Sequence, residues 1–179
     1  LNGKTVANAL VLYGGGSAGA LINSSATAAT QSGGVTISSA VSIGGSNSLT
    51  ISGAISASSN GIAFVGSGAY TLSNTTNSIP TVATYSTGIT SLSLNDNVAL
   101  TVGSVTVGGT TYSGIKATGT VTLTQNNSSA GVRVSQAIDA GNVAIKSSGY
   151  LILPQQELVR PMQTATSLLE LKLVRLPPS

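Results

Sequence analysis

The chain has no cysteine, histidine or tryptophan, and only seven basic and four acidic residues among 179. Without cysteine there is no disulfide framework, and without histidine a serine nucleophile lacks its usual base; a dyad of serine with Lys4 has no support in the sequence. The bases are scattered before the last stretch of sequence, so they form no clustered basic face for nucleic acid. We therefore expect no nucleic-acid partner.

Long apolar runs and a leader segment are also missing. No uninterrupted run approaches the roughly 20 residues that span a bilayer. The chain starts at Leu1 without a basic and then apolar leader, so we expect a fragment or a processed form.

What the sequence does contain is internal repetition. Three octapeptides are near copies of one another, at 35–42, 49–56 and 132–139. A second pair, at 70–78 and 121–129, runs from an apolar-Thr-Leu strand into a polar, Asn-rich corner. Such repetition predicts a repeat fold.

Short alternations of apolar and polar residues fill positions 33–153, and Gly- and Asn-rich turns separate them. Strands this short bury a core only when coils stack, so we predict an all-β, right-handed parallel β-helix of about seven coils. A β-sandwich is the alternative. The near-identical octapeptides, the corner asparagines and the single phenylalanine, Phe64, favour the β-helix.

Three regions follow from this pattern. Residues 1–32 form an irregular N-terminal coil or cap, 33–153 the β-solenoid, and 154–179 a C-terminal cap, assembly strand or tail. Residues 168–176 alternate as a strand does, although a helix from Thr166 is a rival interpretation. The possible assembly strand would present Leu169, Leu171, Leu173 and Leu176.

Several motifs suggest chemistry that the rest of the chain does not support. Residues 14–19 match G-x-G-x-x-G, but the acid that would hold a ribose is missing, since the first acid is Asp96. Residues 15–19 match G-x-S-x-G without a histidine. Asp96 and Asp139 could share a face as paired carboxylates, but both occupy ordinary turn positions. We therefore predict no enzyme, no metal and no small-molecule cofactor.

Two polar patterns have structural interpretations. Pairs such as Thr50 and Ser52 suggest a hydroxyl ladder of the ice-binding kind, but we expect Lys116, Arg133 and Lys146 to interrupt it. The asparagines that begin glycosylation sequons are expected to stack their amides along the corners of the rod. They are Asn23, Asn74, Asn126 and Asn127.

In residues 48–56, 92–103, 112–123 and 132–138 the chain resembles bacterial filamentous haemagglutinin-like adhesins and autotransporter passenger regions. The resemblance covers about residues 33–153. It implies a β-helical stalk, secreted through an outer-membrane partner or a fused barrel and exposed on the outside of a bacterium. Neither a secretion domain nor a barrel is present here, and the tail from Pro154 does not fit the repeat.

These observations lead to an expected function. We expect an adhesin stalk that contacts surface glycans or proteins of host or neighbouring cells, with Tyr85, Tyr112 and Lys116 as candidate contacts if they face outward. The alternative is a self-assembling subunit of an extracellular filament, joined end to end by strand addition. A third class, a polysaccharide hydrolase or lyase, requires Asp96 and Asp139 to converge.

Overall fold

The computed structural model describes residues 1–85 and 88–154, and it shows an all-β protein without a helix. Parallel strands stack into a β-solenoid of about seven turns, which confirms the predicted fold class. The strands are β1 Thr5–Val6, β2 Leu10–Gly14, β3 Leu21–Ile22, β4 Ala29–Gln31, β5 Val35–Gly44, β6 Leu49–Ile51, β7 Ile55–Ser56, β8 Gly61–Phe64, β9 Ala69–Leu72, β10 Thr81–Thr84, β11 Ser91–Asp96, β12 Leu100–Val102, β13 Ser104–Val107, β14 Thr110–Ser113, β15 Ile115–Lys116, β16 Thr120–Gln125, β17 Gly131–Val134, β18 Ile138–Asp139, β19 Asn142–Ser147 and β20 Tyr150–Ile152.

Two long parallel sheets form the sides of the solenoid. Sheet A has the order β1-β4-β6-β9-β11-β16-β19, and sheet B has the order β2-β5-β8-β10-β12-β17-β20, with β3 and β7 also paired to β5. Shorter pairings close a third side, namely β15 with β18 and the bridge between Ile89 and Ala117. Sheets A and B each contain seven stacked strands along these orders, whereas the third side has only these short pairings.

The core is a set of apolar columns inside the solenoid. In sheet A one column stacks Ile51, Leu72, Leu94, Leu123 and Ile145 in register. In sheet B another column stacks Val41, Ile62, Val82, Val102 and Val134. All but Ile145, in the last coil, are buried, so alternate side chains of every strand supply one continuous core.

The repeated peptides differ in their structural equivalence. The pair 70–78 and 121–129 is equivalent, because Tyr70 and Val121 both pair with Leu92 in the strand between them. The octapeptides are not, because Val35 aligns with Ile55 rather than with Leu49. Their likeness reflects the apolar-polar alternation that every strand and corner of the solenoid requires.

One coil is longer than its neighbours because it contains a hairpin. Thr71 aligns with Ser93 after 22 residues, whereas Ser93 aligns with Thr122 after 29. The additional residues form the antiparallel pair β13–β14, and its two-residue turn, Gly108-Gly109, has φ values of 57° and 82°. Positive φ at both turn positions is the geometry of a type I′ hairpin, and it favours glycine.

This hairpin, here called the brace, lies on the outside of sheet B. Its inward residues Val105, Val107 and Tyr112 form a second small core. The partners of these side chains on sheet B are Ala63, Val65 and Ala83. The alternation at Val105 and Val107 is the same as that of an ordinary coil strand, but these residues belong to the brace.

The terminal regions differ in how much of them the structure covers. Residues 18–30 contain β3 and the start of β4. The predicted assembly residues Leu169, Leu171, Leu173 and Leu176 lie outside the described residues, so that interpretation stays a prediction.

Candidate functional surface

The outer face of sheet A carries a column of hydroxyl side chains that runs along most of the solenoid. Consecutive strand pairings align Thr5, Thr30, Thr50, Thr71, Ser93 and Thr122, and the column ends at Ala144 in the last coil. All the pairings in sheet A are parallel and in register. One hydroxyl therefore recurs at the same position in six successive strands.

A second polar column lies two residues further along the chain, within β11 and β16 and directly after the ends of β4, β6 and β9. It comprises Ser32, Ser52, Ser73, Asn95 and Thr124. Neighbouring strands are about 4.8 Å apart and residues i and i+2 of one strand about 6.6 Å apart, so the two columns form a regular array. We call these eleven residues the hydroxyl face.

The basic residues expected to interrupt the ladder lie mostly elsewhere. Lys116 is in β15 on the third side, and Arg133 is in β17 of sheet B. Only Lys146 belongs to sheet A, where it pairs with Thr124 in the last coil. The predicted interruption by Lys116 and Arg133 is therefore wrong, since alternation along a strand does not tell which side of a solenoid the strand occupies.

The threonines of the central column are half-buried or exposed, and their hydroxyls are not enclosed by protein. Within residues 1–85 and 88–154, the hydroxyls of Thr30, Thr50, Thr71 and Thr122 make no hydrogen bond to protein groups. Their inward neighbours are buried, so the backbone beneath them is fixed. Threonine is also stiff at χ1. The central column is consequently an ordered row of hydroxyls with free hydrogen-bonding capacity. In the second column, Ser32 Oγ already donates to the Val6 carbonyl and the Asn95 amide to the Ser73 carbonyl.

Asparagines at the corner that follows sheet A hold successive coils together. Asn74 donates to the Ser52 carbonyl at 3.1 Å, and Asn126 donates to the Asp96 carbonyl at 3.1 Å. Asn95 and Asn127 make the same kind of bond, to Ser73 and Asn97. The corner role predicted for asparagine is thus present, but the amides bond to backbone carbonyls of the preceding coil rather than to each other.

Asn23, Asn77 and Asp96 are fully buried polar residues at or near corners of the solenoid. Asn23 donates to the Ser48 carbonyl and accepts from the Gly3 N–H. Asn77 accepts from the Ile55 N–H at 2.8 Å and donates to the Asn95 carbonyl at 2.9 Å. Asp96, the third, is described next. Buried polar groups with satisfied bonds specify the path of the chain through the corner.

The two carboxylates considered for catalysis do not converge. Asp96 is buried in sheet A, where Oδ1 accepts the Ile79 N–H at 2.9 Å and Oδ2 the Val98 N–H at 3.1 Å. Asp139 lies in β18 on the third side and faces solvent, with Lys116 Nζ 3.7 Å from Oδ2. No cluster of three potential metal ligands exists in the part of the chain that the structure describes.

The glycine-rich segment at 14–19 forms a compact turn against the solenoid. Its four glycines have positive φ, and the Gly16 carbonyl accepts hydrogen bonds from Ser42 Oγ at 2.6 Å and from Tyr112 Oη at 3.4 Å. These bonds fix the turn to β5 and to the brace. They account for the segment as a structural corner.

The candidate contact residues differ in exposure. Tyr112 is only 2% exposed because it belongs to the core of the brace, so it is not available as an outward contact. Tyr85 is 38% exposed, with its ring centroid 6.0 Å from that of Tyr112. Lys116 is half-exposed. Only Tyr85 and Lys116 remain candidates for contact.

Large apolar side chains are exposed on the last coil. Val143, Tyr150, Ile152 and Leu153 are each between 39% and 46% exposed. Among the described strands, β19 and β20 each have one paired neighbour, so each leaves one edge open. This end of the solenoid can accept another strand.

Comparison with known proteins yields no match to a family model, to a curated protein or to a solved structure. Among the described residues no helix is long and apolar enough to cross a membrane. The chain is therefore classified by its architecture, as a β-solenoid repeat protein.

Proposed function

We propose that this protein is a non-enzymatic adhesin stalk module, secreted and exposed on the outside of a bacterial outer membrane. The observation that carries the proposal is the uninterrupted stack of about seven coils, whose outward side chains are mostly hydroxyls and amides. Stacked coils make a rod with repetitive sides, which suits a spacer that also offers contact surface. The resemblance to filamentous haemagglutinin-like and autotransporter adhesins supports the same role.

The brace supports the stalk role. A solenoid in which each coil touches only its neighbours can open from either end. Here the Tyr112 hydroxyl contacts the Gly16 carbonyl across 96 residues, and Val105 and Val107 pack on earlier coils. Contacts between coils that are distant in sequence should oppose opening of the rod when a pulling force acts on an attached cell.

The proposed partners are surface glycans or proteins of host or neighbouring cells, and export would use an outer-membrane secretion partner. The exposed Tyr85 and the pair Lys116–Asp139 lie outside the hydroxyl face and offer side-chain types that such partners bind.

Cell adhesion tests this proposal. Beads coated with the purified chain should attach to bacterial or epithelial cells, and attachment should fall when Lys116→Glu and Tyr85→Ser are combined. A Ser38→Glu variant, changed at an exposed position of β5, is the matched control and should attach as the unaltered chain does. Failure of the unaltered chain to attach to any cell type or to an immobilised glycan array would contradict the stalk proposal.

The exposed apolar end favours a second candidate function, a subunit of an extracellular filament. Coil 7 could pair with the first coil or with residues 168–176 of a neighbouring copy, because one edge of β19 and of β20 is open. Electron microscopy should show filaments that Val143→Lys abolishes. Their loss in Leu171→Lys as well would assign the joint to residues 168–176, and their persistence would assign it to the first coil. Ser38→Lys, at an exposed position of β5 inside sheet B, should leave the filaments intact. Separate short rods in every sample would exclude the filament.

A further inference from the structure

We propose that the hydroxyl face binds the surface of crystalline ice. This inference goes beyond the stalk function and does not depend on it, because the hydroxyl face includes none of the residues proposed to contact cells. It starts from the alignment of six hydroxyl residues, Thr5 to Thr122, in one column of sheet A. Five more polar side chains run beside that column.

The spacing of the column fits a lattice of water. Two water molecules bonded to the same third molecule in a tetrahedral network are about 4.5 Å apart, since an O–H···O bond is about 2.75 Å long. The hydroxyls of successive coils recur at the strand spacing of about 4.8 Å. Water molecules held by neighbouring coils therefore lie close to the separation that they have in ice.

Charge and side-chain type distinguish ice from other extended partners. The hydroxyl face contains no charged residue, and Lys146 lies beyond its end in the last coil. An ionic surface or an anionic polymer would gain nothing from such a face. Ice is neutral, and it presents hydrogen-bond donors and acceptors everywhere.

The absence of aromatic side chains argues against a crystalline polysaccharide. A flat sugar surface would gain from large, rigid rings with a polar tip. Tyr70, in β9, points into the core, and Tyr13, Tyr112 and Tyr150 lie in sheet B or in the brace. Small hydroxyl and methyl groups remain, and these can order water without displacing it.

The hydroxyl face is also organised before any ligand arrives. The inward residues between its side chains, among them Leu49, Leu72 and Leu94, are about 1% exposed and fix the strands. Ordering a binding surface during folding removes that entropy cost from the binding step. Waters held between hydroxyls bond nearly as well as direct partners, so many weak contacts can add up over six strands.

Partition into ice tests the proposal directly. A fluorescently labelled chain is mixed into water that freezes slowly, and its concentration in the ice is compared with that in the remaining liquid. The unaltered chain should be enriched in the ice. Thr71→Tyr, in the middle of the column, should lose this enrichment, because a large ring keeps the neighbouring hydroxyls away from the lattice. Tyrosine keeps the strand propensity of the site.

The matched control is Thr36→Tyr, an exposed threonine of β5 that pairs with Val11 and Ser56 in sheet B. It should partition into ice as the unaltered chain does. Circular dichroism and thermal midpoints establish that both variants are folded, and Thr122→Tyr replaces Thr71→Tyr if the latter does not fold. Equal losses in the folded Thr36→Tyr and Thr71→Tyr variants would overturn the assignment to this face.

Microcrystalline cellulose is the competing probe. Exclusion of the unaltered chain from ice overturns the proposal, and retention on cellulose in that case would assign the hydroxyl face to a polysaccharide. Because cell attachment is measured with Lys116 and Tyr85 variants, failure of the ice test leaves the stalk proposal standing, and the reverse also holds.

Discussion

The stability of this protein should fall as the pH rises from 4 to 7, because of Asp96. Burial raises the pKa of this carboxyl group from 3.8 to about 6, although the N–H groups of Ile79, Val98 and Asn97 favour its ionised form. The side chain is fully buried between two coils. Desolvation therefore outweighs hydrogen bonding at this position.

The direction follows from proton uptake. Between pH 4 and 6 the folded chain holds a proton on Asp96 that the unfolded chain has released, so each rise in pH favours unfolding. The stabilisation is complete below the unfolded pKa and is lost as the pH passes through the folded one. A shift of about two units corresponds to at most about 3 kcal/mol.

Urea unfolding at several pH values, followed by circular dichroism, measures this loss. Asp96→Asn is the reference variant, because it does not titrate and the chain has no histidine to titrate near neutrality. The variant keeps an acceptor for the Ile79 N–H but places an amide nitrogen against the Val98 N–H, which costs about 1–3 kcal/mol. It should be less stable than the unaltered chain at pH 4, and the difference should shrink by pH 7.

An opposite slope would refute the reasoning. If the unaltered chain becomes more stable than Asp96→Asn as the pH rises from 4 to 7, the backbone N–H groups hold the carboxylate ionised and burial is the smaller effect. A parallel course for both proteins would show that Asp96 does not titrate in this window.

Two further substitutions probe the brace and the corners, each read from the urea midpoint. Tyr112→Ala removes a 2% exposed ring from the brace core and should lower the free energy of unfolding by about 3 kcal/mol. Tyr13→Ala, at a 71% exposed site, should change it by less than about 0.5 kcal/mol. Similar losses of stability for both variants would contradict the role of the brace. Asn77→Ala leaves the buried Ile55 N–H without its acceptor and should cost about 1–3 kcal/mol. An unchanged midpoint there would show that the corner does not depend on this amide.

The strands were predictable because every strand of a solenoid needs the same alternation of inward and outward side chains. An inward position must be apolar and its neighbours polar, so alternation at Leu92 and Leu94 or at Val121 and Leu123 identifies a strand without further information. The same uniformity explains why near-identical octapeptides occupy non-equivalent positions in the solenoid. Val35 and Leu49 meet similar local requirements in different sheets.

The hydroxyl face could not be assembled from the sequence, because it depends on which coil positions align. Successive residues of the central column in sheet A are 25, 20, 21, 22, 29 and 22 positions apart in the sequence. Because these distances are unequal, a search for a repeat of fixed length does not find the column. The brace accounts for the longest of these distances. The sequence does contain a signal for the brace, because Gly108-Gly109 is typical of a two-residue hairpin turn and the residues Thr110 to Tyr112 after it favour a strand.

The brace also determines when the molecule can finish folding. Coils 1 to 4 are complete in sequence by about residue 85, yet the outer sides of Ala63 and Ala83 are covered only by residues 104–113. The earlier coils therefore carry an uncovered apolar strip until Tyr112 and its neighbours have packed against them. Packing of residues 104–113 is then the step that ends the exposure of the early coils to mispairing.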